Sequence, residues 1–431
     1  MRQSQLYTKT RKEAPADEVS KNAILLTRAG FIHKEMAGVY TFLPLGLRVL
    51  KKIEDIVRRH MDAIGNELVM PSLSPRENWE KTGRLETVDV LMKTMPANKV
   101  SEEKSSNSYI LCPTHEELIT PIASEYARSY KDLPIAFYQI QTKFRNEARA
   151  KSGLLRGREF RMKDLYSFHK DEADLQKYYE EAKKVYMNVF REVGLGEDTF
   201  ITLASGGDFT KDFSHEFQTV VDAGEDIIYL DRKNNIAYNK EVVNEENAKR
   251  LNVDFETLEQ VKACEVGNIF PLGTKFSKAF DYTYMDEEGK KQDVYMGCYG
   301  IGPSRLMGVI TEKFADVKGL VWPASVAPFS VHLLLLCKEK GEKRKLAKET
   351  IVAEDIYTKL TASGVEVLFD DRELPNGGKF ADSDLIGIPM RVVVSDKSLE
   401  KGGVEIKERT KEESEIISIE ELFATYKKNC E

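Results

Sequence analysis

The segment KFRNEARAKSGLLRGREFRMKDLYSFH, residues 143–169, decides the fold of this chain. It joins two stretches whose side-chain character alternates from one residue to the next, one running from Ile135 to Phe144 and one from Phe160 to Phe168. A period of two is typical of half-buried β-strands, and two such strands around one loop predict an antiparallel hairpin. Together with neighbouring helical stretches, the hairpin indicates an antiparallel α+β fold and not a doubly wound parallel sheet.

Long amphipathic helices are predicted on both sides of the hairpin. Apolar residues at helical spacing predict one helix over 47–64, ended by Gly65-Asn66 and followed by a strand at 68–70. Its inward face is expected to hold Leu47, Leu50, Ile53, Ile56, Val57, Met61 and Ile64. A second helix is predicted over about 171–193, with an inward face of Leu175, Tyr179, Ala182, Tyr186, Val189 and Val193.

A second domain is predicted after residues 321–329, VWPASVAPF, where two prolines and small residues interrupt the pattern. Strands and helices alternate beyond this point, with strands predicted at 331–336, 365–369 and 391–394 and helices at about 340–363 and 381–386. That order is typical of a small α/β domain. We therefore predict one domain over 1–324 and another over 325–431.

The composition excludes several classes of protein. Of the 431 residues, 41% are hydrophobic and 31% are charged, which is normal for a globular chain and argues against wholesale disorder. The longest apolar run, 331–337, is too short to cross a membrane, and the polar N-terminus has no apolar signal core. The net charge of −7 does not exclude an RNA partner, because phosphate binding depends on a local basic surface.

The cysteines give no sign of a metal or disulfide framework. They are scattered and odd in number: Cys112, Cys264, Cys298, Cys337 and Cys430. None forms a CxxC pair, so the sequence supports neither a disulfide-rich fold nor a structural zinc site. We expect a cytoplasmic protein.

Two charged residues at the start of the hairpin loop suggest nucleotide chemistry. Arg145 and Glu147 are two positions apart on the predicted strand, so both side chains are expected on one face of the sheet. An arginine at this place can hold an α-phosphate with its fork of donors. An ordinary ion pair on one face is the other interpretation.

The hairpin loop is also basic. Around Gly153 and Gly157 it carries Arg149, Lys151, Arg156 and Arg158. Like charges at this density repel one another unless they are solvated or given an anion. For an isolated basic turn a solvated surface is the commoner outcome, so the loop by itself does not decide between the two.

Three motifs in order resemble those of class II aminoacyl-tRNA synthetases. FRNE resembles the FRxE of motif 2 (about 143–169), and the REF that follows fits the aromatic residue that stacks on adenine. GCYGIGPSR resembles motif 3 (about 297–310), whose glycines let the backbone approach the nucleotide. GVYTFLPLGLRVLKKIEDIV and the chain to Pro71 resemble motif 1 (about 38–71), the dimer helix and strand. A dinucleotide-binding GxGxxG is disfavoured because Arg305 stands at its last position and no parallel βαβ unit surrounds it.

Within that class, the chain resembles the bacterial-type prolyl-tRNA synthetase family. LCPTHEEL (111–118) resembles the proline-recognising loop, and FSHEFQ (213–218) and EVGNIFPLGTKFS (265–277) are also similar to that family. The resemblance implies ATP-dependent conversion of L-proline to prolyl-adenylate with release of pyrophosphate, then transfer to the 3′ end of proline tRNA. It further implies Mg²⁺ with the ATP, no zinc, a homodimer, and neither a membrane nor a DNA partner.

The resemblance also implies roles for individual residues. The catalytic residues would be Arg145, Glu147 and Arg305, the last on the γ-phosphate. Thr114, Glu116 and Arg145 would bind the amine and carboxylate of proline, His215 would lie against its ring, and Met162 and Phe168 would form apolar walls. ATP would be bound by Arg145, Glu147, Arg156, Phe160, Glu216, Gln218, Gly300, Gly302 and Arg305. In the C-terminal domain, the segment 370–389 is most like the family's anticodon-binding domain, and candidate readers are Asp370, Asp371, Arg372, Glu373 and Lys379. Solvated charges are an equally good interpretation of each of these five.

Three further residues near these motifs have open roles. His115, beside Glu116, is better explained as a support for the loop than as a catalytic group. His169 is as well explained by core packing as by ligand contact. Cys298 fits a packed small residue and a substrate-facing residue equally well.

One module of the family is missing. Many bacterial members carry a large insertion between motifs 2 and 3 that hydrolyses alanyl-tRNA, whereas residues 221–264 here form only a short stub with a predicted hairpin, EDIIYLDRKNNIAYN. We therefore expect no editing in cis. Threonyl- and seryl-tRNA synthetases share the architecture, but a threonine site would be expected to use zinc with Cys or His ligands. A catalytically inactive accessory subunit is the remaining alternative, and the arginines at 145 and 305 argue against it.

Overall fold

The computed structural model describes residues 1–16, 18–148, 150, 152–206 and 213–427, so Arg149, Lys151 and Cys430 lie outside the described residues. Contacts divide the chain into two units. The first unit consists of Met1–Lys34, Thr41–Lys52 and Ile310–Glu431, and the second of Glu35–Tyr40 and Ile53–Val309. The sequence predicts a single domain boundary between residues 324 and 325, and this boundary stays a prediction.

Helices and strands are distributed along the whole described chain. The α-helices are α1 Lys21–Arg28, α2 Pro44–Met61, α3 Arg76–Lys81, α4 Lys99–Lys104, α5 Glu116–Tyr126, α6 Glu172–Glu192, α7 Glu245–Leu251, α8 Lys275–Ala279, α9 Pro303–Phe314, α10 Gly341–Leu346, α11 Lys348–Ala362, α12 Asn376–Ile386, α13 Asp396–Glu400 and α14 Ile419–Lys427. None of the helices described is both long enough and apolar enough to serve as a membrane span.

The strands are short except for those that carry the candidate site. They are β1 Ile32–Met36, β2 Val39–Phe42, β3 Asn66–Glu67, β4 Leu73–Ser74, β5 Met92–Lys93, β6 Ile110–Leu111, β7 Ile135–Phe144, β8 Glu159–His169, β9 Thr199–Ala204, β10 Ser214–Val220, β11 Asp226–Asp231, β12 Ile236–Asn239, β13 Glu259–Gly273, β14 Thr283–Met285, β15 Lys291–Asp293, β16 Tyr295–Ile301, β17 Val331–Leu336, β18 Val367–Asp370, β19 Met390–Ser395, β20 Val404–Glu408 and β21 Glu415–Ile417.

A largely antiparallel sheet organises the second unit. In the part of the chain described, its nine strands follow the order β10-β9-β12-β11-β13-β16-β8-β7-β3, and only the β12–β9 and β3–β7 pairs are parallel. The predicted hairpin is formed by β7 and β8, which pair from Ile135 opposite Phe168 to Phe144 opposite Glu159. The α+β prediction is confirmed.

Helix α6 packs on this sheet as its sequence predicts. The Asp171 side chain accepts a hydrogen bond from the backbone N–H of Asp174 and so caps the first turn. All six residues predicted to face inward are buried. Its aromatic residues form a cluster with strand β10, because Tyr186 and Phe190 lie 5.0 and 5.3 Å from the Phe217 ring.

Two predictions near motif 1 were wrong in detail. Leu47, in the first turn of α2, is 40% exposed and does not share the buried face of the later residues. The strand lies at Asn66–Glu67 and not at 68–70. The Leu68 N–H still donates to Tyr138 O. Beyond it the chain leaves the sheet, because the Met70 N–H donates to the Gln139 side chain and not to a strand carbonyl.

The first unit contains the predicted α/β sheet. Its strand order is β18-β17-β19-β20-β21, with β17 parallel to both β18 and β19 and antiparallel pairing beyond. The predicted helix over 340–363 is interrupted at Ala347, whose backbone is extended. Arg344, just before the break, donates to the carbonyls of Asp371 and Arg372 and anchors α10 to the loop after β18. Helix α12 begins five residues before the predicted start, because Gly377 and Gly378 weaken its helical signal.

The stub between motifs 2 and 3 belongs to the nine-stranded sheet. Its predicted hairpin is present as β11 and β12, with Tyr229 opposite Tyr238. β11 pairs with β13 and β12 with β9, so the hairpin is inserted between these two strands. Behind it, Tyr238, Val242 and Phe255 form a small apolar cluster beside α7.

Replacing Phe217 with alanine tests the packing of α6 on the sheet. Because the ring is fully buried between Tyr186 and Phe190, Phe217→Ala should lower the free energy of unfolding by about 3–5 kcal/mol. Urea unfolding followed by tryptophan and tyrosine fluorescence measures this change. Tyr126→Ala, at a residue that is 76% exposed, should leave the transition in place, and an equal shift in both variants would contradict the packing argument.

Candidate active site

Arg145 and Glu147 lie where the chain leaves the hairpin. Strand β7 ends at Phe144, and the Arg145 N–H still donates to Arg158 O at 2.9 Å. The Glu147 N–H then donates to Arg145 O at 2.8 Å, so the chain turns at this point. The inference that the two side chains share a face of one strand was therefore wrong, because the strand ends before either residue.

Arg145 and Arg305 nevertheless converge on one cavity. Both line a small cleft together with Phe160, Met162, Glu265, Val266, Gly267, Asn268, Gly300 and Gly302. The Arg145 guanidinium carbon lies 5.3 Å from the centre of the Phe160 ring. Burial, and next the charge of Arg305, lower the pKa of Arg145. Nε of Arg145 is buried and has no hydrogen-bond partner among the described residues. Such a cleft favours an anion.

Arg305 is held by the strand opposite. It lies in the first turn of α9, as predicted for an arginine that opens a helix after a glycine-rich strand. Its Nε donates to Leu155 O at 2.9 Å, and its Nη1 donates to Glu265 O at 2.8 Å and to Glu265 Oε2 at 3.2 Å. Glu265 was not predicted as a site residue. The only sequence signal was that it opens the family-like segment 265–277.

The remaining predicted nucleotide residues border the same region. Glu147, Arg156, Gly157, Phe160 and Arg305 line an adjoining cleft, and Arg156 also borders a third one with Glu225 and Asp226. Arg156 Nη1 lies 2.7 Å from Glu225 Oε2, and its Nε lies 3.5 Å from Glu147 Oε2. Of the described basic residues in this loop, Arg156 is therefore paired with carboxylates, whereas Arg158 donates to the backbone carbonyls of Glu147 and Ala37.

The loop before α5 brings a further set of polar side chains close to Arg145. Thr114 Oγ1 donates to Glu116 Oε2 at 2.5 Å, and Cys298 Sγ donates to Glu116 Oε1 at 3.1 Å. Arg145 Nη2 lies 3.5 Å from Pro113 O, one residue before Thr114. Thr114, Glu116 and Arg145 are thus brought together. Cys298 contacts the carboxylate and is not only a packed small residue.

A buried polar chain supports this loop. His115 Nε2 donates to Pro71 O at 3.0 Å, so Nδ1 is left to accept from Lys143 Nζ at 2.5 Å. Lys143 in turn lies 2.7 Å from Asp164 Oδ1. Burial, and next the charge of Lys143, lower the pKa of His115 to about 4, so the ring is neutral. The geometry gives His115 the supporting position predicted for it and no access to a substrate.

Two predicted wall residues behave differently. Met162 borders the Arg145–Arg305 cleft, whereas Phe168 is fully buried and packs against Tyr282 with ring centres 5.8 Å apart. Phe168 therefore belongs to the core and does not line this cleft. His169 is also buried, and its Nδ1 lies 3.0 Å from Asp174 Oδ2, which favours core packing over ligand contact.

His215 lies on the other face of the sheet. Residues paired directly across strands share a face, and His215 pairs with Ile269, which pairs with Tyr299. Cys298, which touches Glu116, is the neighbour of Tyr299 and so points to the opposite side. His215 instead contacts the Tyr179 hydroxyl at 3.0 Å and Lys183 on α6. The inference that His215 lies against the proline ring is corrected, because the sheet separates the two.

Glu216 and Gln218 belong to a carboxylate cluster beside Arg305. Gln218 Nε2 donates to Glu216 Oε2 at 2.9 Å and to Asp226 Oδ2 at 2.8 Å. Burial, and next the charge of Glu265, raise the pKa of Glu216 to about 8. Within the described residues no three His, Cys, Asp or Glu side chains are arranged to hold a metal by themselves.

The candidate anticodon readers are largely used inside the first unit. Asp370 is fully buried and accepts from Arg372 at 2.9 and 2.7 Å, and the Lys379 ammonium, 1% exposed, donates to Asp370 O at 2.9 Å. Asp371 accepts from the N–H and hydroxyl of Ser4. Glu373 accepts from Gly341 N–H. Asp370 and Lys379 are corrected as base readers, because burial and internal pairing leave them unable to reach a nucleotide.

Comparison with known proteins identifies the family. A profile described as the tRNA synthetase class II core domain (G, H, P, S and T) matches residues 99–314, and one described as an anticodon binding domain matches residues 334–429. The proline–tRNA ligase of Geobacillus sp. (strain WCH70) is 34% identical over 578 residues, covering 99% of each chain. The chain belongs to the proline–tRNA ligase family.

Two solved structures share the fold of this family member. Giardia lamblia prolyl-tRNA synthetase, in complex with prolyl-adenylate, has a TM-score of 0.75 at 20% identity and covers 92% of this chain and 73% of its own. Cryptosporidium parvum prolyl-tRNA synthetase, complexed with L-proline and AMP, has a TM-score of 0.72 at 20% identity and covers 95% and 74%. Both support the class II architecture.

This proline–tRNA ligase family member is of the short form. Its alignment with the Geobacillus relative extends over 578 residues, more than its own length of 431. The proline–tRNA ligase of Rhizorhabdus wittichii, 37% identical, aligns over only 447 residues and covers 98% of this chain and 99% of its own. The longer relative therefore contains a stretch that this chain lacks.

Removal of Arg145 tests the convergence of the two guanidinium groups. Arg145→Ala should reduce proline-dependent exchange of pyrophosphate into ATP below detection, because the α-phosphate loses its buried cation. Arg232→Ala removes an exposed arginine that pairs with Glu259 and should retain full exchange. Exchange by Arg145→Ala close to the wild-type rate would remove the hairpin from the mechanism.

Proposed function

We propose that this chain activates L-proline with ATP and transfers it to proline tRNA. The observation that carries the proposal is the convergence of Arg145 and Arg305 on one cleft beside Thr114 and Glu116. Two cations in one buried cleft suit a triphosphate, and the neighbouring carboxylate suits an ammonium. Membership of the proline–tRNA ligase family supports the same reaction.

Proline recognition follows from the charges of the pocket. The secondary ammonium would donate to Glu116, which Thr114 and Cys298 orient. The carboxylate would pair with Arg145 and would thereby be aimed at the nucleotide cleft. The ring offers only apolar surface, so Met162 would contact it while Phe168 holds the wall in place from behind.

The first step needs no nucleophilic side chain. The proline carboxylate attacks the α-phosphorus in line, a carboxylate–phosphorus bond forms, and the bond to the pyrophosphate oxygen breaks. Arg145 would stabilise the charge on the α-phosphate, while Arg305 would hold the γ-phosphate and Phe160 would stack on adenine. The terminal adenosine hydroxyl of the tRNA then attacks the carbonyl, and AMP leaves.

Mg²⁺ would accompany ATP and neutralise phosphate charge during the displacement. The donors present fit such a hard cation, because Glu147, Glu216, Gln218 and Glu265 supply oxygen ligands beside the arginines. Gln218 Oε1 is a specific sign of fit, since this oxygen is buried and has no hydrogen-bond partner among the described residues. Gly300 and Gly302, which line the cleft without side chains, would let the protein backbone approach the nucleotide.

The C-terminal region over 325–431 would read the anticodon, after a catalytic domain over 1–324. Of the five candidate readers, Asp371, Arg372 and Glu373 at the loop after β18 are those we retain. A homodimer would cover exposed apolar side chains of the motif 1 region, such as Val69. The scattered cysteines suit a cytoplasmic enzyme.

Pyrophosphate exchange tests the proposed reaction directly. With the purified chain, exchange into ATP should depend on proline, should be weak with alanine, and should be absent with threonine. The Arg145→Ala variant is the blank for contaminating synthetases. Exchange that requires threonine would indicate a threonyl-tRNA synthetase instead. If no amino acid supports exchange while tRNA still binds, the chain would be an accessory subunit.

Absence of the inserted domain has a chemical consequence. Alanine lacks two ring methylenes, worth roughly 0.8 kcal/mol each on burial, so binding alone discriminates by about ten- to a few hundred-fold. The enzyme should therefore form alanyl-tRNA at a measurable rate and leave it intact. Incubation of purified alanyl-tRNA with the chain checks this, using hydrolysis in buffer as control. Rapid deacylation would show that editing occurs in cis.

A further inference from the structure

A second buried carboxylate lies beside the proposed ammonium acceptor, and the mechanism above does not use it. Glu116 and Glu117 begin α5 and are both fully buried. A single nitrogen, Nη1 of Arg84, donates to Glu116 Oε2 at 3.2 Å and to Glu117 Oε1 at 2.9 Å. One guanidinium is therefore divided between two carboxylates, of which Glu116 also accepts from Thr114 and Cys298.

Arg84 is fixed where it can serve both carboxylates. It is 4% exposed, and its guanidinium carbon lies 5.4 Å from the Trp79 ring and 5.3 Å from the Phe276 ring. Trp79 is itself buried and donates to the Ser74 hydroxyl. The two aromatic rings hold the guanidinium in place. How strongly Arg84 pairs with each carboxylate therefore depends on where the carboxylates lie and not on movement of the arginine.

The polar surroundings of Glu117 are few. The Thr82 hydroxyl donates to Glu117 Oε1 at 3.1 Å, and the Asn78 amide donates to the backbone carbonyl of Glu117. The charged groups that face it are Arg84 and Glu116. Burial, opposed by Arg84 and reinforced by Glu116, raises the pKa of Glu117 to about 7.

The charges of this group leave one negative charge for a substrate. Two carboxylates and one guanidinium sum to −1, which the ammonium of proline would neutralise. Without the charge of Glu117 the sum is zero, and Arg84 would pair with Glu116 alone. Glu116 would then offer a weaker field to the ammonium, because in a buried site the nearest counter-charge dominates.

We propose that Glu117 is a positioning residue for amine recognition, which keeps Glu116 available to the proline ammonium by taking a share of Arg84. The inference rests on the proposed activation of proline and assigns a role to a carboxylate outside the pocket. Glu117 acts through Arg84 and does not touch the substrate.

A pH dependence follows, and its direction is fixed by the charges. Below a pH of about 7, Glu117 takes up a proton, Arg84 pairs with Glu116, and proline binds less tightly. The KM for proline should therefore fall as the pH rises through about 7. Of the two other ionisable groups that contact this loop most directly, His115 has a pKa of about 4, and burial and next the charge of Glu116 raise the pKa of Cys298 far above the neutral range.

The test is the pH profile of proline activation in Glu117→Gln. Glutamine keeps the shape of the side chain and an oxygen that accepts from Thr82. We expect a KM for proline about tenfold higher at pH 8, an unchanged kcat for pyrophosphate exchange, and a KM that no longer varies between about pH 6 and pH 8. Glu80→Gln, which neutralises an exposed carboxylate on α3 paired with Arg76, is the matched control and should behave as wild type.

A milder variant covers the case in which Glu117→Gln does not fold. Thr82→Val removes the hydroxyl that donates to Glu117, so the ionised form loses a hydrogen bond and the inflection in the KM profile should move to higher pH. A KM profile that is the same in wild type and both variants would overturn the role of Glu117. Absence of proline-dependent exchange in the wild type would instead overturn the proposed function itself.

Discussion

The candidate active site depends on two half-buried cations that face one cleft. Burial and next the charge of Arg305 lower the pKa of Arg145, whereas for Arg305 burial is outweighed by Glu265 and its acidic neighbours, so that its pKa is raised. The chain tolerates these two cations because Glu265 holds Arg305 from the neighbouring strand. A nucleotide would supply the missing negative charge, so the same contact that costs stability in the free protein creates affinity for a phosphate.

The nine-stranded sheet determines where these charged groups lie. β7 and β8 carry the hairpin arginine, β16 leads into the helix that bears Arg305, and β13 between β11 and β16 supplies Glu265. Antiparallel pairing fixes the register of these strands to within one residue, and a slip would send each side chain to the other face. His215 illustrates the rule: because side chains alternate between the two faces along a strand, it points away from the site.

Charge balance recurs in the amino acid pocket. Lys143 is paired with Asp164 behind His115, and Arg84 is divided between Glu116 and Glu117. Burial makes each unpaired charge costly, so the loop before α5 is held by groups that the substrate never contacts. This loop therefore has little freedom to adapt to a different amine.

The sequence by itself determined the hairpin, the face of α6, the α/β order of the C-terminal region and the motif residues Arg145, Glu147 and Arg305, because periodicity and local motifs are properties of neighbouring residues. It did not determine the end of β7 at Phe144, the burial of Asp370 and Lys379, or the partnership of Arg84 with residues more than thirty positions away. Those features depend on which strands pair and which side chains lose water, and only the tertiary structure decides both.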